Sequence, residues 1–180
     1  MLDTGGLPSP IRECCAWLRR HGLQVEGIFR IPGSNLRIKK LIQEFNDNPG
    51  FELPADTNPH NVSAVMVRWF SGITDDRGKA SGIWDHGAYS MKPGMRELRK
   101  QNRTSETDGM TASWIRESIS HLSADHIAVF KEVSQLLAEA SQPENTAHNK
   151  MNPDKFALCL LPAIQGVIQL TILHYDEIFQ

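Results

Sequence analysis

The chain has 180 residues, 40% hydrophobic and 22% charged, enough apolar material to bury a core and too much for a disordered chain. Nineteen Lys and Arg stand against 21 Asp and Glu, a net charge of −2, which argues against a general nucleic-acid binder, whose basic footprint would show in the totals. The cysteine count is three, odd, with Cys14 and Cys15 adjacent, which does not make a disulfide framework. No basic-plus-apolar signal segment follows Met1, so the expected setting is cytoplasmic, with reduced thiols.

Ile11, Cys14, Cys15 and Leu18 fall at i, i+3, i+4 and i+7, which predicts a first helix with one core-facing stripe, stopped at Gly22. Ser34 is placed to cap a second helix, in which Ile38, Leu41, Ile42 and Phe45 repeat the spacing. A third helix carries Val62, Val65, Met66, Trp69 and Phe70 on one side. From about residue 71 to 110 the pattern weakens and Gly, Asp, Ser, Lys and Arg become frequent. A long irregular segment is expected there, with a short helix around Met95–Lys100.

Regularity returns with Trp114, Ile115, Ile119 and Leu122 on one helix. Ser123 then caps a longer one carrying Ile127, Phe130, Val133, Leu137 and Ala140. Asn152-Pro153 is the best helix start in the chain, an N-cap followed by proline at the first helical position. It leads into Phe156, Ala157, Leu160, Leu161 and Ile164, and a final amphipathic helix ends at Tyr175–Phe179. Gln24–Ile31 alternates somewhat but has no obvious partner strand. The expected class is all-α, a single-domain helical bundle over residues 1–180.

Phe156 to Leu173 is 18 residues without a formal charge, the length at which a membrane span becomes a candidate. Pro162, Gln165, Gly166, Gln169 and Thr171 would be poorly solvated in hydrocarbon. Two core helices broken near Pro162–Gly166 explain the stretch better, leaving membrane contact at most peripheral.

Most catalytic templates fail. There is no G-x-S-x-G and no H-E-x-x-H. Gly72…Gly78-Lys79 resembles a phosphate loop, but it has one intervening residue too many, and Ala80 stands where Ser or Thr should bind magnesium. No cofactor or metal of the chain's own is therefore expected. Asn61-Val62-Ser63 and Asn102-Arg103-Thr104 fit the glycosylation sequon, unused in the cytoplasm. Lys92, Arg96, Arg99, Lys100 and Arg103 form a basic run, read as a solvated face. Cys159 reads as a small buried hydrophobe.

What remains is Gly27-Ile28-Phe29-Arg30-Ile31-Pro32-Gly33-Ser34. Two glycines and a proline fix the backbone of a short connection between helices, and Ile28, Phe29 and Ile31 are apolar enough to pin it to the core. Arg30 is the one charge inside the apolar run. A guanidinium on a rigid loop has little entropy left to lose, and its fork of donors matches phosphate oxygens. The plainer reading is an ion pair with a nearby acid such as Glu26.

The octet, with Pro8 and the amphipathic helix before it, resembles the start of a Rho-family GTPase-activating domain (RhoGAP). That family's signature is a Gly-Ile-Phe-Arg loop closing in Gly-Ser, whose arginine is the finger inserted into the GTPase active site. The resemblance continues through His60 and Val62, Leu122-Ser123 with Leu136-Leu137, Asn149-Lys150-Met151, Phe156-Ala157…Pro162 and the closing stretch His174–Phe179. It implies an all-α RhoGAP-type fold and an activator of a partner Rho-family small GTPase rather than a self-contained enzyme. GTP and magnesium would belong to the partner. It makes Arg30 the catalytic residue, with Arg37, Lys40, Arg68 and Lys155 expected at the partner surface.

There are departures. The family's lysine near the finger falls at Val67, with Arg68 beside it and turned by about 100° around the helix. The following arginine falls at Ser71, the Leu-Pro after it at Ile73-Thr74, and an asparagine of the last motif region at Lys155. The alternative reading is a catalytically weakened RhoGAP-like module that binds without stimulating hydrolysis.

Overall fold

The computed structural model describes residues 6–72, 108–120, 124–160 and 165–179. The described residues form helices joined by turns, with no strand among them. In chain order the helices are α1 (Ser9–His21), α2 (Asn35–Asp47), α3 (Pro59–Gly72), α4 (Asp108–Ile119), α5 (Ala124–Ala140), α6 (Pro143–Asn149), α7 (Pro153–Leu160), α8 (Gln165–Leu173) and α9 (Tyr175–Phe179). The all-α expectation holds.

Helix α1 packs on α3 and α5, and α2 rests on α3. Helix α5 is the spine of the other half, touching α6, α7, α8 and α9. The apolar stripes meet in one cluster in which Ile11, Cys14, Trp17, Val65, Met66, Phe130, Leu136 and Phe156 are all at most 1% exposed. Long-range polar ties secure the same helices. Arg19 of α1 donates to the carboxylates of Glu132 and Glu139 on α5, the second at 2.8 Å. The Trp17 indole N–H donates to the Pro54 carbonyl at 3.0 Å.

Several boundaries differ from the sequence expectation. Helix α3 runs on to Gly72 and α4 begins at Asp108, so helix enters the 71–110 stretch from both sides, and residues 73–107 lie outside the described residues. The short helix expected at 95–100, the basic run, Gly78-Lys79, Leu122-Ser123 and Pro162 lie outside the described residues. Ser34 precedes α2 but its hydroxyl makes no capping bond. Asn152 does cap α7, its Oδ1 accepting from the Lys155 N–H at 2.9 Å. Asn58-Pro59 is the same signal, with Asn58 Oδ1 accepting from His60 N–H at 2.9 Å. The final helix is two, α8 and α9, broken at His174. No helix among the described residues is long and apolar enough to cross a membrane. Cys14 and Cys15 are buried free thiols, whereas Cys159 is half-buried, less enclosed than expected.

Helix α6 has no forerunner in the sequence reading. It is a seven-residue helix opened by Pro143 and closed by Lys150, whose φ of 59° is left-handed. Asn145 and Asn149 face inward on it. An apolar stripe is what periodicity detects, and α6 has none.

Candidate functional site

The Gly27–Ser34 octet spans the gap between α1 and α2 as a series of tight turns rather than a strand. Gly27 takes a left-handed φ of 66°. There the Arg30 and Ile31 N–H groups both converge on its carbonyl, at 2.9 and 2.8 Å. A Cβ on Gly27 would sit 2.7 Å from Ile31 Cδ1 and 3.3 Å from Arg30 Nη2, so the glycine serves both conformation and space. Phe29 is left-handed as well, φ 66°, a rare conformation for a bulky side chain. Such strain costs about 1–3 kcal/mol and persists only where the surroundings over-determine it.

Those surroundings come from distant parts of the chain. Ile28 is buried, and the Phe29 ring meets Phe156 of α7 edge-on, centroids 5.7 Å apart at 82°. The Gly27 N–H donates to the Asn149 carbonyl at 2.8 Å. The Asn149 side chain, fully buried, donates to the carbonyls of Leu23 at 2.7 Å and Ala140 at 2.9 Å. Its Oδ1 accepts from the Met151 N–H at 2.7 Å. One carboxamide thus joins the turns before the octet, the end of α5 and the α6–α7 junction.

The far end of the octet is tied to α3. Asn61 Oδ1 accepts from the Ser34 N–H at 2.8 Å, and Arg68 Nη2 donates to Asn35 Oδ1 at 2.9 Å. Asn61 and Arg68 are seven residues apart and so occupy the same face of α3. Gly33 lets the two segments approach: a Cβ there would fall 2.5 Å from Asn61 Oδ1 and 2.8 Å from the His60 carbonyl oxygen. Asn61 is buried at this junction, so this sequon asparagine is shielded by the fold.

Arg30 rides on this clamped turn with its side chain exposed. Among the described residues it makes no ion pair, with Glu26 or any other acid. The next residue, Ile31, is 41% exposed, and so is Leu158 on α7, at 52%. Burial pushes the Cys159 thiol up from its ordinary value, and the Arg30 charge opposes that shift. The Phe29–Phe156 contact makes the Arg30 turn and α7 neighbours.

The other anticipated residues separate into groups. Lys155 is exposed in the first turn of α7, its ammonium donating to the Lys150 carbonyl at 2.9 Å. Arg68 is exposed at the octet's far end, while Val67 is half-buried and packed on the core. Arg37 and Lys40 lie on α2, where they line an open groove of about 610 Å³ with Glu44, Phe51, Pro54 and Asn61. That groove meets the octet only through Asn61. No cluster of three His, Cys, Asp or Glu able to hold a metal occurs among the described residues. The sequence marks Asn149 only as part of the Asn-Lys-Met motif and Asn61 only as a sequon asparagine, and it shows neither as a tie to the octet. For the ties themselves the signal is faint: a polar residue just outside an apolar stripe, next to a helix boundary.

Residues 8–76 match the family model for the RhoGAP domain. Over 179 residues, 98% of this chain, the sequence is 23% identical to Rho GTPase-activating protein 190 of Drosophila melanogaster. The match spans between 7% and 20% of the length of these curated relatives, 11% of that one and 13% of the bovine Rho GTPase-activating protein 36. The fold superposes on the BH domain from Graf, the GTPase regulator associated with focal adhesion kinase, with a TM-score of 0.75. Identity there is 20%, over 99% of this chain and 96% of that one. Human Rho GTPase activating protein 15 gives a TM-score of 0.74 at 19% identity, covering 97% and 85% of the two chains. The arginine-bearing octet lies inside the matched region, and the described helices follow the RhoGAP-domain fold, so the chain is similar to RhoGAP domains in both sequence and fold.

Proposed function

We propose that this domain binds a GTP-loaded Rho-family small GTPase and stimulates its GTP hydrolysis, with Arg30 as an arginine finger supplied in trans. The observation that carries the reading is the state of Arg30: exposed, unpaired with any acid among the described residues, and mounted on a strained turn tied at both ends. A guanidinium so held loses little freedom when it enters a partner's site. It would stabilise charge developing on the transferring phosphoryl group. The partner supplies magnesium, the nucleotide and the group that orients the attacking water, so the domain needs no cofactor of its own. Arg68 and Lys155, at the two ends of the loop, and Arg37 and Lys40, along α2, belong to the proposed docking surface, and the proposed setting is the cytoplasm.

Single-turnover GTP hydrolysis against a panel of Rho-family GTPases tests this directly. A finger in trans is worth about 10³ to 10⁵ in rate, about 4–7 kcal/mol of barrier. Arg30→Ala should remove most of the stimulation with an unchanged melting temperature. Arg30→Lys should fail largely too, because an ammonium does not reproduce the guanidinium fork. Stimulation that survives Arg30→Ala within a few-fold sinks the mechanism.

A further inference from the structure

The loop contributes one cation, and α7 contributes another. Lys155 stands in the first turn of α7, where the helix dipole favours acids over bases. Its ammonium gives one proton to the Lys150 carbonyl at 2.9 Å, leaving two donors uncommitted. Among the described residues no carboxylate pairs with it. The next residue, Phe156, is the ring against which Phe29 packs, immediately before Arg30. One turn further along α7, Cys159 lies within reach of the Arg30 charge. Lys155 and Cys159 are i and i+4, on one face of the helix. The Phe29–Phe156 contact joins the residue before Arg30 to the residue after Lys155, so the two cations flank one loop–helix junction.

An anion that reached both cations would gain from each of them. Resting on the function proposed above, we propose that Lys155 is a second cation of the Arg30 site and contacts the phosphoryl oxygens of the partner's GTP. The RhoGAP resemblance puts a neutral asparagine at this position, so the positive charge is a property of this chain. A compact ammonium, already oriented by the Lys150 carbonyl, suits phosphate as a point charge. Lys155 makes and breaks no bond; it adds positive charge where negative charge accumulates.

Single-turnover hydrolysis by a Rho-family GTPase at saturating domain tests the role, alongside binding to that GTPase loaded with GDP or with GDP and aluminium fluoride. Lys155→Asn should lower the saturated rate about tenfold or more, the worth of a hydrogen bond to a charged group. It should weaken the aluminium fluoride complex while sparing the GDP complex and the melting temperature. Lys155→Arg, which keeps the charge, should retain most of the rate. Equal weakening of both complexes would assign Lys155 to a carboxylate of the partner protein and overturn the proposal. Failure of Lys155→Arg as deep as that of Lys155→Asn would reduce the residue to its bond with Lys150. A rate unchanged or raised in Lys155→Asn, with stimulation still abolished by Arg30→Ala, removes the second cation alone. No stimulation by the unaltered chain removes the finger reading and the role of Lys155 with it.

Discussion

The backbone N–H of Gly27 donates to the carbonyl of Asn149 across 2.8 Å, joining the start of the Arg30 loop to a residue 122 positions later in the chain. Because the Asn149 side chain also holds the Leu23 and Ala140 carbonyls, this asparagine fixes the loop from two directions. Asn149→Ala would leave those buried groups unpartnered and should cost about 2–4 kcal/mol of stability. Asn149→Asp should cost at least as much, since a carboxylate would face two carbonyl oxygens. Urea unfolding midpoints at unchanged m-value check both, and a loss under about 0.5 kcal/mol would show that the clamp is not needed.

Gly33→Ala places a methyl group 2.5 Å from Asn61 Oδ1 and 2.8 Å from the His60 carbonyl oxygen. One of the neighbours is backbone, so the octet itself must shift. Overpacking of this kind costs about 1–3 kcal/mol, and the hydrogen bond from Ser34 to Asn61 should break first. Amide hydrogen exchange at Ser34, faster in the variant than in the unaltered chain, would report it.

Val67 and Arg68 give opposite expectations. Val67→Lys puts an ammonium where a side chain is half-buried against the core, and should lower stability by about 1–3 kcal/mol. Arg68→Ala removes an exposed bond to Asn35 and should cost under about 1 kcal/mol of stability. Under the proposed function it should weaken association with the GTPase by about 1–2 kcal/mol. Melting curves and titration calorimetry on the two variants separate the effects. A stable Val67→Lys variant that binds more tightly would return the family's missing charge to position 67.

Stability should also fall in alkali. Burial pushes the Cys14 and Cys15 thiols well above their ordinary values, whereas in the unfolded chain a thiol ionises near pH 8.5. The folded values are raised, so this contribution is complete below the unfolded value and is lost as pH rises toward the folded one. The loss approaches about 1.4 kcal/mol per pH unit per thiol at its steepest. Urea midpoints compared at pH 8 and pH 10 should drop, and Cys15→Ala should flatten the drop. Identical pH slopes in the two proteins would exclude the thiols as its origin.

The helices were legible where an apolar stripe does the packing. Ile11, Cys14, Cys15 and Leu18 were readable as the inner face of α1, and all four are buried. Asn152-Pro153 was readable as a helix start because cap and proline are chemically specific. Helix α6 was not legible, because it is short and holds its place with asparagines rather than leucines. Arg30 stood out by its isolation among apolar residues, but what positions it did not. The ties are made by Asn61, Arg68 and Asn149, whose partners lie in other segments and are mostly backbone atoms. Local patterning carries no trace of a partner that only the folded chain brings near. Phe29 in a left-handed turn was beyond sequence reasoning for the same reason: propensity argues against it, and only the tertiary frame overrules that.

The tie between Gly27 and Asn149 also bears on how the protein is made. Arg30 leaves the ribosome before the atoms that shape its turn, which come more than a hundred residues later, at Asn149 and Phe156. A nascent or truncated chain ending before residue 149 carries the arginine without its mount. Chains grow from the N-terminus, and loop closure over such a span is among the slower steps of folding. The Arg30 loop therefore cannot take its clamped form before residues 149–156 are made, so a chain interrupted earlier in synthesis presents Arg30 on an unshaped loop.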